Sequence, residues 1–391
     1  MTSSARRKRV LIALTYYRPH VSGLTIYTER LARGLAQRGH PVTVLTSRFH
    51  PRLPARECLD GVDVLRAPAL AKLSKGVVMP WFPVYAWAQA TRHDVINIHM
   101  PQLEAAWVAA CGYLRRRPVV VTYHCDLRLP PSPLNTAVDA ALRPLNRAAL
   151  HLADRVVATT ADYAAHSPLL RRHANKLCVI PPLVEMAPPD PAVTTRLEQR
   201  YSLRGRTCIG FAARFAAEKG VEYLLAALPR IVEHVPDACV LFTGACRDTV
   251  GEAAYDARLA PLIARHRNRL VFCDLLDGRE MSSFFALCHV LAVTSWNATE
   301  SFGLVQAEAM LSGTPVVATD LPGVRQAVQQ TGMGEIVPPR DPAALADAIV
   351  RVVQRRDHYR RPRADIAAVF DAAGAVAQYE RLFEALTARP R

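Results

Sequence analysis

Long hydrophobic runs are missing from this sequence of 391 residues. Its longest apolar stretches, such as Val119–Tyr123 and Val290–Val293, have the length of a strand, whereas about 18 to 20 residues are needed to cross a bilayer. The basic start of the chain runs into a strand-like pattern rather than into the apolar core and cleavage site of a signal peptide. We therefore expect a protein that is made and kept in the cytoplasm.

Motifs that hold metals or disulfides are missing as well. The nine cysteines include no Cys-x-x-Cys pair, and most stand inside apolar patterns that are typical of buried, reduced thiols. No Asp-x-Asp occurs, although that spacing is common in divalent-ion clamps. Lysine, arginine and a helix N-terminus can take over the electrostatic role of a metal. The sequence thus predicts metal-independent chemistry without a cofactor.

Acidic residues are scarce in the first half of the chain. Residues 1–190 hold 25 Lys and Arg against 12 Asp and Glu, whereas residues 191–391 hold 24 against 22. Nucleic acid, an anionic membrane or an anionic substrate would each explain a basic half, as would a compositional preference for arginine.

Strand-length apolar runs alternate with helical patterns along the chain, which favours parallel sheets covered by helices on both faces. The alternation breaks at the prolines of residues 181–191 and then restarts. We predict an α/β protein with two Rossmann-like, doubly wound lobes facing across a cleft. The first lobe spans residues 1–185 and is completed by a final helix within 375–391, and the second lobe spans 190–370.

Two cations follow the predicted strand at 207–212. Arg214 and Lys219 stand five residues apart in one loop, so both side chains can converge on a polyanion such as a diphosphate. An exposed, solvated loop is the alternative interpretation.

Two acids bracket the start of a helix predicted at 304–311. Glu300 precedes this helix, and Glu308 lies inside it, about two turns after Glu300. If the helix were continuous from Glu300, the two carboxylates would lie within roughly a quarter turn of each other. Backbone N–H groups at a helix N-terminus bind phosphate, and Gly303 lets the backbone approach closely. A solvated helical glutamate is the alternative for Glu308.

Glu300 and Glu308 match the E-x7-E motif of glycosyltransferase family 4, which the segment 295–325 resembles as a whole. Arg214 and Lys219 resemble the paired diphosphate-binding cations of that family. The resemblance implies a GT-B fold and a reaction that retains the anomeric configuration.

The same resemblance implies roles for single residues. Glu308 would bind the donor ribose, Glu300 the hydroxyls of the transferred sugar, and Arg214 and Lys219 the leaving diphosphate. The phosphate end would be formed by Phe302, Gly303 and Leu304.

The acceptor side is expected in the first lobe. Family members often carry a Gly-Gly pair in the loop after the first strand, where this chain has Ser22 and Gly23, and Gly23 would still let the backbone approach a ligand. His124 ends a predicted strand and resembles the active-site histidine of the family. His99 is open between a site residue and a packing residue.

These features predict a retaining hexosyltransferase with a UDP- or GDP-linked sugar as donor substrate and no nucleic-acid partner. An acceptor that is lipid-linked or another anionic glycan precursor fits the basic half. A transferase acting on a soluble small molecule, a nucleotide-sugar epimerase or hydrolase of the same fold, and a non-catalytic binding protein remain alternatives.

The basic half also predicts peripheral attachment to the inner face of an anionic membrane. Cations cluster at residues 6–9 and 115–117, with Lys72 and Lys75 beside the apolar segment 77–82. The helical stretch 134–152 adds leucines that we expect to be available for apolar contact, namely Leu142, Leu145 and Leu150.

Overall fold

The computed structural model describes residues 7–73, 76–128, 133–246 and 252–388. The chain divides into two compact units, one formed by Met1–Leu183 with Ala372–Arg391 and the other by Val184–Asp371. We call them the first unit and the second unit. Over the described ranges, no helix combines the length and the apolar composition required to cross a bilayer.

The described part of the first unit contains ten strands, and most of its helices lie between them. The strands are β1 (Val10–Ala13), β2 (Val42–Arg48), β3 (Arg56–Leu59), β4 (Val62–Pro68), β5 (Ala71–Leu73), β6 (Gly76–Val78), β7 (Val95–Met100), β8 (Val119–Tyr123), β9 (Arg155–Ala158) and β10 (Leu177–Val179). The helices are α1 (Gly23–Gln37), α2 (Phe82–Ala90), α3 (Ala105–Leu114), α4 (Pro133–Leu152) and α5 (Ala161–His166).

The second unit repeats the alternation. Its strands are β11 (Thr207–Ala212), β12 (Ala238–Thr243), β13 (Leu270–Phe272), β14 (Val290–Val293), β15 (Val316–Thr319) and β16 (Gly334–Val337). Its helices are α6 (Pro191–Arg200), α7 (Val221–His234), α8 (Ala253–His266), α9 (Gly278–Leu287), α10 (Leu304–Leu311), α11 (Arg325–Thr331), α12 (Pro342–Gln354), α13 (Arg356–Tyr359) and α14 (Arg363–Val369). A last helix, α15 (Ala372–Thr387), belongs to the first unit.

Each unit has one large sheet. The first sheet has the order β10-β9-β8-β7-β1-β2-β4-β3, and among its described strands only the edge strand β3 is antiparallel. Strands β5 and β6 pair separately. The described strands of the second sheet are all parallel, in the order β13-β12-β11-β14-β15-β16. The strand order reverses between β1 and β7 in the first sheet and between β11 and β14 in the second. Ligands of open α/β sheets bind outside the carboxyl ends of the strands at such reversals.

The helix α15 returns to the first unit and packs on α1. The hydroxyls of Tyr27 and Tyr379 lie 2.9 Å apart, and a Cβ atom at Gly34 would come within 2.7 Å of a Val376 methyl group. Glycine at position 34 therefore lets the two helices approach closely.

The expected apolar surface on residues 77–82 is confirmed for Trp81, which is exposed, but it is wrong for Val77, Met79 and Phe82, and it is wrong for Leu142 and Leu150 of α4. Val77 and Phe82 are buried in the core, and so are Met79 and Leu150, while Leu142 is nearly buried. These side chains stabilise the first unit from within, because the helices and the β5–β6 pair turn them toward the sheet. Arg6 and Lys75 lie outside the described residues.

Candidate active site

The strand reversal of the second unit brings two loops together, one after β11 and one after β14. The β11 loop ends in a short 3-10 turn at Ala217–Lys219, followed by Gly220 in the left-handed region with φ +66°. The Thr294 hydroxyl donates to the carbonyl oxygens of Lys219 and Gly220 at 2.7 and 3.0 Å. A Cβ atom at Gly220 would lie 2.5 Å from the Thr294 carbonyl oxygen, so this contact between the loops requires glycine.

Both predicted cations lie in this loop pair, and each contacts a carboxylate. Arg214 Nη2 donates to Glu218 Oε1 at 2.7 Å, and Lys219 Nζ donates to Glu300 Oε2, which also accepts from the Ser295 hydroxyl at 3.2 Å. The pairing of Lys219 with Glu300 joins two residues that the sequence had assigned separately. Glu218 was missed, although it stands four residues after Arg214.

An aromatic residue braces the same loops. The Trp296 indole donates to the Ala217 carbonyl oxygen at 2.5 Å, and the Arg340 guanidinium lies 3.7 Å from the centre of the indole ring. The loop that carries Lys219 is thus held by Trp296, which follows β14, and Trp296 is covered in turn by Arg340, which follows β16. Neither Trp296 nor Arg340 was predicted as a site residue.

The N-terminus of α10 is open beside Glu300. Gly303 has φ +75°, and no side chain caps the helix among the residues that the structure describes. The Gln306 amide donates to the Phe302 and Val324 carbonyl oxygens at 2.6 and 3.1 Å, and a Cβ atom at Gly303 would lie 2.9 Å from that amide nitrogen. The first backbone N–H groups of α10, starting at Leu304, are therefore not used by a capping side chain, which is the condition for binding an anion at a helix N-terminus.

Glu308 lies inside α10 and is buried. The helix begins after Gly303, as predicted, so Glu300 sits on the loop and Glu308 on the helix. A buried carboxylate requires polar partners, and sugar hydroxyls can provide them. The prediction that Glu308 binds ribose stays a prediction.

In the first unit, the strand reversal carries a cavity of about 180 Å³ with a mostly apolar lining that includes Tyr16, Leu103 and Leu142. Gln102 lines it too, and neither polar atom of this buried amide has a partner of hydrogen-bond geometry among the described residues. Burial raises the pKa of the nearby Glu104 carboxyl to about 7. The cavity combines an apolar wall with the buried polar amide of Gln102, which suits an amphiphilic ligand.

Gly23 is the first residue of α1 and Ser22 is its N-cap, accepting from the Thr25 N–H at 3.2 Å. A Cβ atom at Gly23 would meet nothing within 4 Å. The fold itself therefore does not require glycine at this position, and the predicted role of Gly23 near a ligand stays a prediction.

His124 follows β8 and is hydrogen-bonded to His99, which is fully buried. The His124 Nε2 and His99 Nδ1 atoms lie 2.9 Å apart, and the Thr28 hydroxyl lies 2.9 Å from the same His99 nitrogen. Burial lowers the pKa of His124 to about 3 and that of His99 well below its usual value, so both rings are neutral near pH 7.

The partners of Thr28 determine the tautomers. The Thr28 hydroxyl donates its proton to the Leu24 carbonyl oxygen at 2.8 Å, so it can only accept from His99 Nδ1. His99 then carries its proton on Nδ1, and His124 Nε2, facing that N–H, is an acceptor. The proton of His124 must therefore lie on Nδ1, which makes this ring a neutral hydrogen-bond donor through Nδ1.

A second buried chain of hydrogen bonds runs beside the histidines. The Tyr379 hydroxyl of α15 lies 2.9 Å from that of Tyr27 and 3.0 Å from that of Thr122, which in turn donates to Asn97 at 2.9 Å. The Tyr27 ring packs edge-on against the His124 ring at 4.9 Å between centroids. Sequence patterns gave no signal for Thr28 or Tyr379, because their partners are far away along the chain.

No cluster of three or more His, Cys, Asp or Glu side chains suited to a metal ion occurs among the residues described. The cysteines in the described ranges are unpaired thiols. Of those inside apolar patterns, Cys178 is half-buried, and the others are buried, namely Cys208, Cys239, Cys273 and Cys288.

Comparison with known proteins connects both units to one family. Residues 206–355 match the family described as Glycosyl transferases group 1, and residues 22–182 match the Glycosyl transferase 4-like domain. A D-inositol 3-phosphate glycosyltransferase of Xylanimonas cellulosilytica is 29% identical over 84% of this chain and 82% of its own length. A phosphatidyl-myo-inositol mannosyltransferase of Mycobacterium tuberculosis is 26% identical over 93% of both chains.

Solved structures agree on the fold. A sucrose-phosphate synthase from Thermosynechococcus elongatus has a TM-score of 0.79 at 23% identity, over 98% of this chain and 100% of that one. Anabaena HepE in complex with UDP has a TM-score of 0.73 at 20% identity, over 96% and 100%. The sequence matches in both units and the shared fold lead to one conclusion: the chain belongs to glycosyltransferase family 4 and is a hexosyltransferase with the GT-B fold.

Proposed function

We propose that this enzyme takes a hexose from a UDP- or GDP-linked sugar and transfers it to an acceptor hydroxyl with retention of the anomeric configuration. The observation that carries the proposal is the Lys219–Glu300 pair beside the open N-terminus of α10. A cation and a helix N-terminus suit the diphosphate of such a donor, and a carboxylate suits the hydroxyls of its sugar.

The leaving diphosphate gains negative charge as its bond to the sugar breaks. Arg214 and Lys219 stabilise that charge together with the backbone N–H groups after Gly303. Phe302 and Leu304 flank these groups in the chain. The cations provide the charge compensation, so we propose a reaction that needs no metal ion.

The remaining polar groups position the sugar and the nucleoside. Once the diphosphate pairs with Lys219, the Glu300 carboxylate can accept hydrogen bonds from sugar hydroxyls, and Glu308 takes those of the ribose. The Nδ1–H group of His124 donates to a hydroxyl of the transferred hexose. Because burial lowers the pKa of His124 to about 3, this ring orients the sugar rather than removing a proton.

Retention follows if the acceptor attacks from the side on which the diphosphate leaves. The acceptor oxygen forms its bond to the anomeric carbon as the bond from that carbon to the phosphate oxygen breaks. The acceptor proton passes to that phosphate oxygen. With Glu300 and Glu308 occupied by hydroxyls, this route requires no carboxylate as nucleophile.

We propose an acceptor that is lipid-linked or another anionic glycan precursor and that uses the first unit. Support comes from the apolar cavity with its Gln102 amide, and from relatives named for inositol phosphate and phosphatidylinositol substrates. The proposal also places the enzyme in the cytoplasm, at the inner face of the membrane.

The donor is identified by measuring thermal shifts with a panel of UDP- and GDP-sugars, followed by product masses with and without acceptor. A sugar donor that stabilises the wild type but not Lys219→Met, and that yields a glycosylated acceptor, supports the proposal. Release of free sugar at the same rate with every acceptor would instead identify a hydrolase, and an altered nucleotide sugar an epimerase.

A further inference from the structure

Helices α2 and α3 present large apolar side chains to solvent. Trp81 at the start of α2 is 63% exposed, and Trp107 and Leu114 on α3 are 57% and 65% exposed. The opposite sides of both helices are buried in the core. We call the exposed group the α2–α3 surface and define it by Trp81, Val84, Trp87, Trp107, Tyr113 and Leu114. It holds three of the four tryptophans in the chain.

These side chains form one continuous surface because the two helices lie side by side. Cys111 Sγ lies 3.9 Å from the Pro83 carbonyl oxygen. One turn further along each helix, the Arg115 guanidinium lies 3.8 Å from the centre of the Trp87 ring. The helices therefore run in the same direction, with Trp107 toward the Trp81 end and Leu114 toward the Trp87 end.

The rim of the surface is cationic. Arg92 and residues 115–117 follow the last turns of the two helices, and neither helix contains an acidic residue. The acids next to them are occupied or buried, since Asp94 pairs with Arg9 at 2.8 Å and Glu104 is buried. The first unit as a whole holds 28 Lys and Arg against 12 Asp and Glu, whereas the second holds 21 against 22.

We propose that the α2–α3 surface binds the plane of an anionic lipid bilayer. Tryptophan and tyrosine favour the boundary between lipid tails and headgroups, where Leu114 and Val84 would enter the apolar layer. The arginines beside them attract anionic headgroups, and Arg115, stacked on Trp87, holds its charge at the same depth. Nucleic acid would leave the aliphatic side chains unexplained, so a bilayer fits the combination of groups better.

This inference rests on the proposed lipid-linked acceptor. Sequence patterns pointed to residues 77–82, 115–117 and α4, and of these the α2–α3 surface and its rim include Trp81 and residues 115–117 but not α4. The inference is tested by binding alone, so its failure is distinct from failure of the proposed transfer reaction. Flotation of the full chain with phosphatidylcholine vesicles, with and without phosphatidylglycerol, measures the partition coefficient at low and high salt.

Partition should require phosphatidylglycerol and fall with salt. Leu114→Ser and Trp107→Ser should each lower it at least fivefold, and Arg116→Gln about fivefold, since a surface cation contributes on the order of a few-fold. The matched control is Leu275→Ser, which changes a leucine that is 71% exposed in the second unit and should leave partition unchanged. Thermal unfolding of every variant confirms that the fold is intact.

Three results would overturn the proposal. The first is the absence of salt-sensitive binding to the anionic vesicles, and the second is an equal loss for Leu114→Ser and Leu275→Ser. The third is self-association of the wild type that Leu114→Ser abolishes without any effect on vesicles, because the surface would then bind a second copy of this chain.

Discussion

Replacing Glu300 with glutamine should separate nucleotide binding from turnover. In the structure the Glu300 carboxylate contacts Lys219 Nζ, so an incoming diphosphate competes with that carboxylate for the lysine. Glutamine keeps the size of the side chain but removes the competing charge. UDP or GDP without a sugar should therefore bind the variant at least as tightly as the wild type.

The size of the effect follows from the exposure of the pair. The Lys219 and Glu300 side chains are 24% and 15% exposed. A partly exposed ion pair contributes up to about 1 kcal/mol, so the Kd of the variant for UDP or GDP should be lower than that of the wild type by up to about fivefold. Turnover should fall, although the nucleotide binds more tightly. A charged acceptor for a sugar hydroxyl contributes about 1.5 to 3 kcal/mol, so kcat/KM with the sugar donor should fall about 10- to 100-fold.

Calorimetric titration with UDP and GDP and steady-state kinetics measure the two quantities. Lys219→Met should lose both, with kcat/KM lower by about 100- to 1000-fold, while the free energy of unfolding stays within about 1 kcal/mol. Asp347→Asn is the matched control, because it removes a surface ion pair with Arg230 in the same unit and should change neither quantity. If Glu300→Gln weakens UDP and GDP as much as Lys219→Met does, the competition argument is refuted.

Three further outcomes are expected. Gly220→Ala should lower the free energy of unfolding by about 2 to 3 kcal/mol in urea denaturation, because φ +66° and the Thr294 carbonyl oxygen both oppose a side chain. The control is Gly278→Ala, whose added Cβ atom meets no atom within 4 Å and should leave the free energy of unfolding unchanged. Equal losses for the two variants would refute this account. Turnover should persist in EDTA, and a complete loss that Mg²⁺ or Mn²⁺ restores would contradict the metal-free proposal. The free energy of unfolding should fall as pH falls from about 6.5, the unfolded value, toward about 3, since unfolded His124 takes up a proton that the buried ring does not. His124→Asn should flatten that slope, and an unchanged slope would show that His124 titrates normally.

Much of the second unit could be predicted from the sequence because its signals are local. The helix at 304–311 begins and ends at the predicted residues, and β11 matches the strand predicted at 207–212. Apolar periodicity, an N-cap at Asp341 and a glycine before α10 lie within a few residues of the boundaries that they set. The edge strand β3 was missed because its side chains alternate between exposed and half-buried without a continuous apolar run.

The contacts that complete the candidate site were not visible in the sequence. Thr28 reaches His99 across 71 positions, and Lys219 reaches Glu300 across 81. The α2–α3 surface shows a different obstacle. Both helices are apolar on nearly all sides, so periodicity cannot tell which apolar residues face the core and which remain exposed.

The position of α15 has a consequence for the order in which the protein folds during synthesis. The second unit is one uninterrupted segment and can fold as soon as it has left the ribosome. The first unit must wait, because Tyr379, which closes the hydrogen bonds beside His124, is translated after the entire second unit. The domain that is synthesised first is therefore completed last, and the hydrogen bonds around His124 and His99 close only after the second unit already exists.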